Sequence, residues 1–234
     1  SCDSDNFLPI RRDARLSESY NIPHDVPVIG YIGSIVFYEG LEDLINACGI
    51  LKKEGGEFRS LIVGSEHSSI SNVGPTTQAI QKAADKNNLN DWLIMPGRIP
   101  HEEVQSHYSL IDIAPFPRKA LPVCEMVSPM KPLEAMAMEK AVIVSSVKAL
   151  TEMVQNDETG LVFEKGNTMS LAKALHKLII DPGLRTRLGK KARTFVLNER
   201  SWQATASIGA DKIKSLMGKT ISNKNLPAWW SQID

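Results

Sequence analysis

Short apolar runs alternate with segments of helical periodicity along most of the chain, and this alternation restricts the fold more than any other feature. Residues 27–33 form an apolar run without polar alternation, and residues 58–64 form a second run. Such runs are typical of parallel strands covered on both faces. Residues 40–53 between them have apolar side chains at helical spacing. The pattern predicts an α/β fold, a Rossmann-like doubly wound parallel sheet with helices on both faces.

The rest of the chain continues this order of strands and helices. Further strands are predicted over residues 92–95, 111–114, 141–145 and 160–163, and further helices over residues 75–87, 101–108, 129–138, 149–154, 171–179, 182–197 and 202–217. We divide the chain into a linker at residues 1–25, a Rossmann-like ligand-binding domain at 26–217 and an irregular tail at 218–234. Ligands of such sheets bind beyond the carboxyl ends of the strands.

Composition excludes several classes of protein. The chain has 234 residues and a formal net charge of zero, so no basic excess indicates a nucleic-acid partner. Its apolar runs are too short to span a bilayer, and no secretory signal is recognisable. Three widely spaced cysteines without a CxxC pair argue against a disulfide framework or a zinc site. We expect a cytoplasmic location, with peripheral membrane association open for a complete enzyme.

The stretch from Lys131 to Met138, Lys-Pro-Leu-Glu-Ala-Met-Ala-Met, predicts the type of ligand. A prolyl pair opens a helix at the ligand-binding edge, and helix N-termini favour anions such as a diphosphate. Glu134 lies in the first turns of that helix, where a carboxylate can accept hydrogen bonds from a sugar diol. The stretch therefore predicts a site for a nucleotide joined to a sugar.

Several motifs occur in an order that resembles a known family. Residues 3–9 read Asp-Ser-Asp-Asn-Phe-Leu-Pro, and residues 29–34 read Ile-Gly-Tyr-Ile-Gly-Ser. Residues 96–100 read Pro-Gly-Arg-Ile-Pro, and residues 132–137 read Pro-Leu-Glu-Ala-Met-Ala. Together they resemble the C-terminal, donor-binding half of a retaining GT-B glycosyltransferase of family 4, the group 1 transferases. The resemblance implies transfer of a sugar from a UDP- or GDP-sugar to a hydroxyl group, without a metal or other cofactor.

The resemblance assigns two carboxylates. Glu134 matches the second acid of the family's E-x7-E signature, which implies that it holds the ribose hydroxyls; a solvated acid at a helix start is the alternative. The first acid should lie eight residues earlier, at Met126, but Glu125 lies nine residues earlier. With a loop adjustment Glu125 would contact the donor sugar or the reaction centre as the catalytic acid of the motif. An exposed loop acid is the alternative.

The positions that bind the diphosphate depart from the family pattern. Many members have an arginine and a lysine where this chain has Ser34 and Glu39. We expect Lys131 and Arg118 to supply the missing positive charge, with solvated loop cations as the alternative.

Other residues of this edge are expected to contact the donor through the main chain. Gly33 and Ser34 would allow close backbone approach, and Val127 and Ser128 would direct N–H groups at the donor. Arg98 and Ile99 would hold the base, with Arg98 stacking on it. The residues that carry these expectations are Gly33, Ser34, Arg98, Ile99, Val127 and Ser128.

Two other functions remain open. A non-catalytic nucleotide-binding or scaffold module is favoured by Ser34 and Glu39, and a sugar-nucleotide epimerase shares the GT-B architecture. For the glycosyltransferase half, the expected partners are a nucleotide sugar and a separate N-terminal acceptor domain, whereas the scaffold module would hold a nucleotide or a partner subunit. Because the face toward that domain would be apolar, we expect some self-association of the isolated chain.

Overall fold

A computed structural model describes residues 1–66 and 73–217. Six parallel strands form one sheet in the order β3-β2-β1-β4-β5-β6. They are β1 (Val28–Ile32), β2 (Arg59–Val63), β3 (Leu93–Gly97), β4 (Ile113–Phe116), β5 (Ala141–Ser145) and β6 (Leu161–Phe163). The order reverses direction between β1 and β4, so the sheet is doubly wound, and the predicted fold class is confirmed.

Ten α-helices occur in the described part of the chain. They are α1 (Ala14–Ser19), α2 (Leu41–Lys53), α3 (Pro75–Lys86), α4 (Val104–Leu110), α5 (Pro122–Met126), α6 (Lys131–Ala137), α7 (Lys148–Thr151), α8 (Thr168–Ile180), α9 (Pro182–Phe195) and α10 (Trp202–Met217). Helix α2 packs against α3 and α8, whereas α6 packs against α9 and α1 against α4. The sheet is thus flanked by helices. None of the described helices is long and apolar enough to cross a membrane.

The core lies along the central strands. Every residue of β1, β4 and β5 is buried, as expected for parallel strands covered on both faces. Glycines follow the neighbouring strands β1 and β2 where their ends approach each other. Gly64 has φ of +135°, and a Cβ atom there would lie 1.9 Å from the carbonyl oxygen of Gly33. Only glycine accommodates both the backbone angle and this contact.

Several element boundaries differ from the predicted ones. Helix α5 was expected to be loop, and α6 begins at Lys131 rather than at residue 129. The N-terminal segment contains α1, and it packs on the domain: Cys2 is fully buried, and the Phe7 and Tyr108 rings meet edge to face at 6.1 Å. The predicted tail at residues 218–234 and part of the loop after β2, residues 67–72, lie outside the described residues.

Candidate functional site

An open crevice of about 380 Å³ lies at the carboxyl ends of β1, β2 and β3. It is lined by Ile32, Gly33, Ser34, Val63, Gly64, Ser65, Glu66, Arg98, Ile99 and Val104. Four of these residues, Gly33, Ser34, Arg98 and Ile99, are predicted site residues, and the fold brings them together. The position agrees with the rule for ligand sites in doubly wound sheets.

Glu39 lies next to this crevice and is buried in a cluster with two cations. Its side chain is 1% exposed. Arg118 donates from Nη2 to Oε1 at 3.0 Å and from Nε to Oε2 at 3.4 Å, and Lys131 donates from Nζ to Oε1 at 3.0 Å. One acid and two bases leave the cluster with a net charge of +1. An acid, Glu39, therefore stands where the resemblance predicts a lysine, and it binds two cations from elsewhere in the chain.

Arg118 is held on all sides. Its guanidinium contacts both oxygens of Glu39 and also donates from Nη1 to the Val127 carbonyl at 2.8 Å. Its own carbonyl accepts a hydrogen bond from Ser145 Oγ at 2.8 Å. The side chain is 6% exposed. These contacts make Arg118 a structural link between β5, the segment after α5 and Glu39, and they occupy the guanidinium that the sequence predicts to bind the diphosphate.

Lys131 is the more accessible cation of the cluster. Its side chain is 22% exposed and crosses Gly33 so closely that a Cβ atom on Gly33 would lie 2.2 Å from Cε of the lysine. Its ammonium group is 5.6 Å from the centre of the Tyr31 ring. The Tyr31 hydroxyl in turn donates to the Ser34 carbonyl at 3.0 Å. Lys131 thus lies beside the Gly33–Ser34 turn, and its predicted contact with a diphosphate stays a prediction.

The backbone at the start of α6 and just before it offers fewer N–H groups than the sequence predicts. Pro132 has no N–H, and the N–H groups of Leu133 and Glu134 both donate to the Met130 carbonyl. The N–H of Val127 donates to the Val123 carbonyl at 3.0 Å, so its predicted contact with a ligand would require this hydrogen bond to open. Ser128 is exposed, and its N–H has no hydrogen bond within the described residues. Positive charge at this site therefore comes mainly from side chains.

Glu134 lies one turn after Lys131 on α6 and is partly buried. Burial raises the pKa of its carboxyl group, and the nearby charges of Lys131 and His101 act in the opposite direction. The Tyr108 hydroxyl is beside it, is fully buried and has no hydrogen bond of good geometry in the described structure. Glu134 thus faces polar groups of α4 and its preceding turn. It does not point into the apolar core.

Glu125 lies elsewhere at the same edge. It accepts a hydrogen bond from the Lys148 N–H at 2.7 Å and pairs with Lys165 Nζ at 2.5 Å. These contacts lower the pKa of its carboxyl group. Glu125 therefore caps the start of α7 and is occupied by an ion pair. The structure does not place it in contact with Glu134.

Sequence reasoning missed the role of three side chains. The burial of Glu39, the link from Tyr31 to the Ser34 turn, and the position of Glu66 all depend on tertiary contacts. Glu66 lines the crevice and accepts hydrogen bonds from the backbone N–H groups of Thr76 and Thr77 at the start of α3. A signal for the first was available: an acid stands at the family's lysine position, while unassigned cations occur at the same sheet edge. The described residues contain no group of three His, Cys, Asp or Glu side chains able to hold a metal.

Comparison with known proteins identifies the family. The family model for glycosyl transferases group 1 matches residues 13–195. The chain belongs to this family. The prediction that the chain belongs to the group 1 transferases is thereby confirmed.

Two curated relatives of this group 1 member illustrate the similarity. It is 27% identical over 192 residues to alpha-D-kanosaminyltransferase of Streptomyces kanamyceticus. The alignment covers 81% of the chain and 46% of that relative. It is 28% identical over 216 residues to the capsular polysaccharide biosynthesis glycosyltransferase CapM of Staphylococcus aureus, covering 88% and 52%. The chain spans about half the length of these relatives.

Solved structures share the fold. Sucrose-phosphate synthase of Thermosynechococcus elongatus superposes with a TM-score of 0.76 at 26% identity, covering 93% of the chain and 51% of that protein. Anabaena HepE in complex with UDP superposes with a TM-score of 0.78 at 14% identity. The superposition covers 92% of the chain and 56% of HepE. The C-terminal domain of LpcC, a group 1 protein of Francisella tularensis, superposes with a TM-score of 0.70 at 22% identity. The superposition covers 86% of the chain and 100% of the LpcC domain.

Proposed function

We propose that this chain is the donor-binding domain of a retaining, family 4 glycosyltransferase, and that it holds a UDP- or GDP-sugar for transfer to a hydroxyl acceptor. The observation that carries the proposal is the pairing of Lys131 and Glu134 on α6, with the Lys131 side chain passing over Gly33, which lines the crevice at the strand ends. A cation and a carboxylate one turn apart match a diphosphate and the adjacent ribose. The HepE complexes with UDP and with UDP-glucose, which have the same fold, support this choice of ligand.

Each group has a role in the proposed site. Lys131 neutralises negative charge that develops on the departing diphosphate, and a charge fixed in advance need not reorganise during the reaction. Glu134 accepts hydrogen bonds from the ribose hydroxyls, which are strong because the acceptor is ionised. Arg98 and Ile99 at the crevice wall hold the base. The transfer requires no metal or other cofactor in this scheme.

The remaining parts of the reaction belong to a second domain. Because the chain spans about half of its relatives, we propose that the acceptor and its general base are bound by an N-terminal domain not included in this sequence. The complete covering of the LpcC C-terminal domain supports placing this chain in the C-terminal half. Glu125 would reach the donor sugar after its ion pair with Lys165 opens, which donor binding must then favour.

Calorimetry of the 234-residue chain with UDP and GDP tests the proposal. We expect one of the two to bind with a dissociation constant in the micromolar to millimolar range, while adenosine binds more weakly because it lacks the diphosphate. Absence of binding by both diphosphates at millimolar concentration would contradict the proposed function.

A further inference from the structure

The buried cluster around Glu39 contains more positive charge than its own burial requires. A carboxylate removed from water needs compensation, and Arg118, which contacts both of its oxygens, is sufficient for this. Lys131 binds the same carboxylate from the side of the Gly33–Ser34 turn. It therefore brings one additional positive charge to the crevice wall.

The two cations have different freedom. Arg118 is 6% exposed and is also tied to the Val127 carbonyl, whereas Lys131 is 22% exposed and has Glu39 as its ion-pair partner among the described residues. Lysine has a long, flexible side chain that loses considerable entropy when it is held in one position. Glu39, the Tyr31 ring and Gly33 hold it on three sides. The Lys131 ammonium is thus kept at the crevice before any ligand arrives.

We propose that Glu39 is a positioning residue for diphosphate binding. It fixes the Lys131 ammonium beside the Gly33–Ser34 turn, and through Arg118 it fixes the segment around Val127. Lys131 contacts the diphosphate and Arg118 does not. The proposal rests on the proposed function and assigns the division of labour within that site.

The sign of one mutational effect separates positioning from simple charge. Glu39→Gln preserves the size of the side chain and changes the charge of the cluster from +1 to +2. If only the summed charge mattered, a diphosphate would bind more tightly to the variant. If position matters, binding weakens, because Lys131 and Arg118 then repel each other and the lysine turns to solvent. A loss of affinity for the diphosphate relative to the monophosphate is therefore evidence for positioning.

The experiment compares UDP with UMP, or GDP with GMP if the wild type prefers guanine. The monophosphate retains the base and ribose contacts, so the ratio of the two dissociation constants reports on the second phosphate. We expect Glu39→Gln and Lys131→Met to reduce the preference for the diphosphate about tenfold, the effect of one charge-assisted hydrogen bond. Glu42→Gln is the matched control. Glu42 is more exposed than Glu39, and its ion pair with Lys119 is long, at 4.0 Å from Nζ to Oε2. Its ratio should equal that of the wild type.

A merely structural role would lower both affinities together and leave the ratio unchanged, and that result would overturn the inference. A higher diphosphate preference in Glu39→Gln would overturn it as well. If Glu39→Gln does not fold, Glu39→Asp decides: it retains the charge but withdraws it from Lys131, and the diphosphate preference should fall partly. Failure of the wild type to bind UDP and GDP would instead refute the proposed function itself.

Discussion

Two ionisable side chains at opposite ends of the strands have pKa values moved by burial. Glu134 lies at the carboxyl edge, and Lys140 lies immediately before β5 at the amino edge. At Glu134 the shift belongs to the proposed site. The pKa shift of Lys140 affects the stability of the fold and not ligand binding, because the crevice is at the other end of the sheet. The two sites give separate predictions.

Glu134→Gln should weaken UDP or GDP binding about tenfold, since an amide retains one acceptor oxygen but loses the charge. The raised pKa of Glu134 adds a pH effect: the wild type should lose affinity as pH falls through that pKa, because the protonated acid is a poorer acceptor. The variant should lack this component. Titration calorimetry between pH 5 and pH 8 measures both. Glu102→Gln, an exposed acid, serves as control, and equal affinity of Glu134→Gln and wild type would remove Glu134 from the site.

Lys140→Met should stabilise the domain at pH 7 by about 1–2 kcal/mol, because burial penalises the charged amine. Burial lowers the pKa of Lys140 from 10.5 to about 8, with Arg12 adding to the shift and Asp112 opposing it. The penalty is complete below pH 8. It is relieved as pH rises from 8 toward 10.5, where the unfolded chain binds the additional proton.

Urea unfolding of both proteins at pH 7 and pH 10 measures this effect. The advantage of the variant should shrink at the higher pH. Lys190→Met, at an exposed position of α9, should show no such change. If the gain in stability of Lys140→Met did not change with pH, titration of Lys140 would not contribute to the pH dependence of unfolding.

At the scale of elements, the sheet edge depends on a close approach of two strand ends. Gly64→Ala should destabilise the domain by about 2 kcal/mol or more, because alanine at φ +135° is strained and its Cβ would collide with the Gly33 carbonyl. Gly55→Ala is the matched control: its φ is +81° but a Cβ has no neighbour within 4 Å. It should cost about 1 kcal/mol from strain alone. Equal losses in urea unfolding would show that the contact with Gly33 contributes nothing.

Contacts between distant parts of the chain limit which elements could be predicted from the sequence. Strands β1, β2 and β5 and helices α2, α8 and α10 were predictable because each has its own apolar period and its own glycine or polar boundary. Helix α5 was not, since it has only five residues, begins at Pro122 and buries only Cys124, which is too short a stretch to show a helical period. The N-terminal segment was expected to be a linker, yet Cys2 is buried and its N–H donates to the Arg200 carbonyl at 3.0 Å. That contact joins residues almost 200 positions apart.

For the molecule as a whole, helix α10 presents apolar side chains to solvent. Trp202, Ile208, Ile213 and Leu216 are each more than half exposed. Exposed apolar surface of this kind promotes association. We expect the isolated chain to self-associate at high concentration, and Ile213→Glu to reduce the associated fraction without lowering the melting temperature. Sedimentation velocity measures the fraction. Ser207→Glu adds the same charge about 120° around the helix from Ile213 and should have less effect; equal association of all three proteins would exclude α10 as the contact.

Local spacing by itself predicted the class of fold and the edge of the sheet at which a ligand would bind, because strand and helix periods and turn motifs are properties of short stretches. The ordered motifs predicted the family through their resemblance to the group 1 transferases. The prediction that Glu134 and Lys131 contact the donor comes from one of these motifs, which contains both residues. Only the tertiary structure decided what Glu39, Arg118 and Glu125 do. Their partners are distant in sequence, 79 positions away for Glu39 and Arg118 and 40 for Glu125 and Lys165. The state of a buried charge depends on which opposite charges the folded chain brings within hydrogen-bond distance, and no local pattern specifies that.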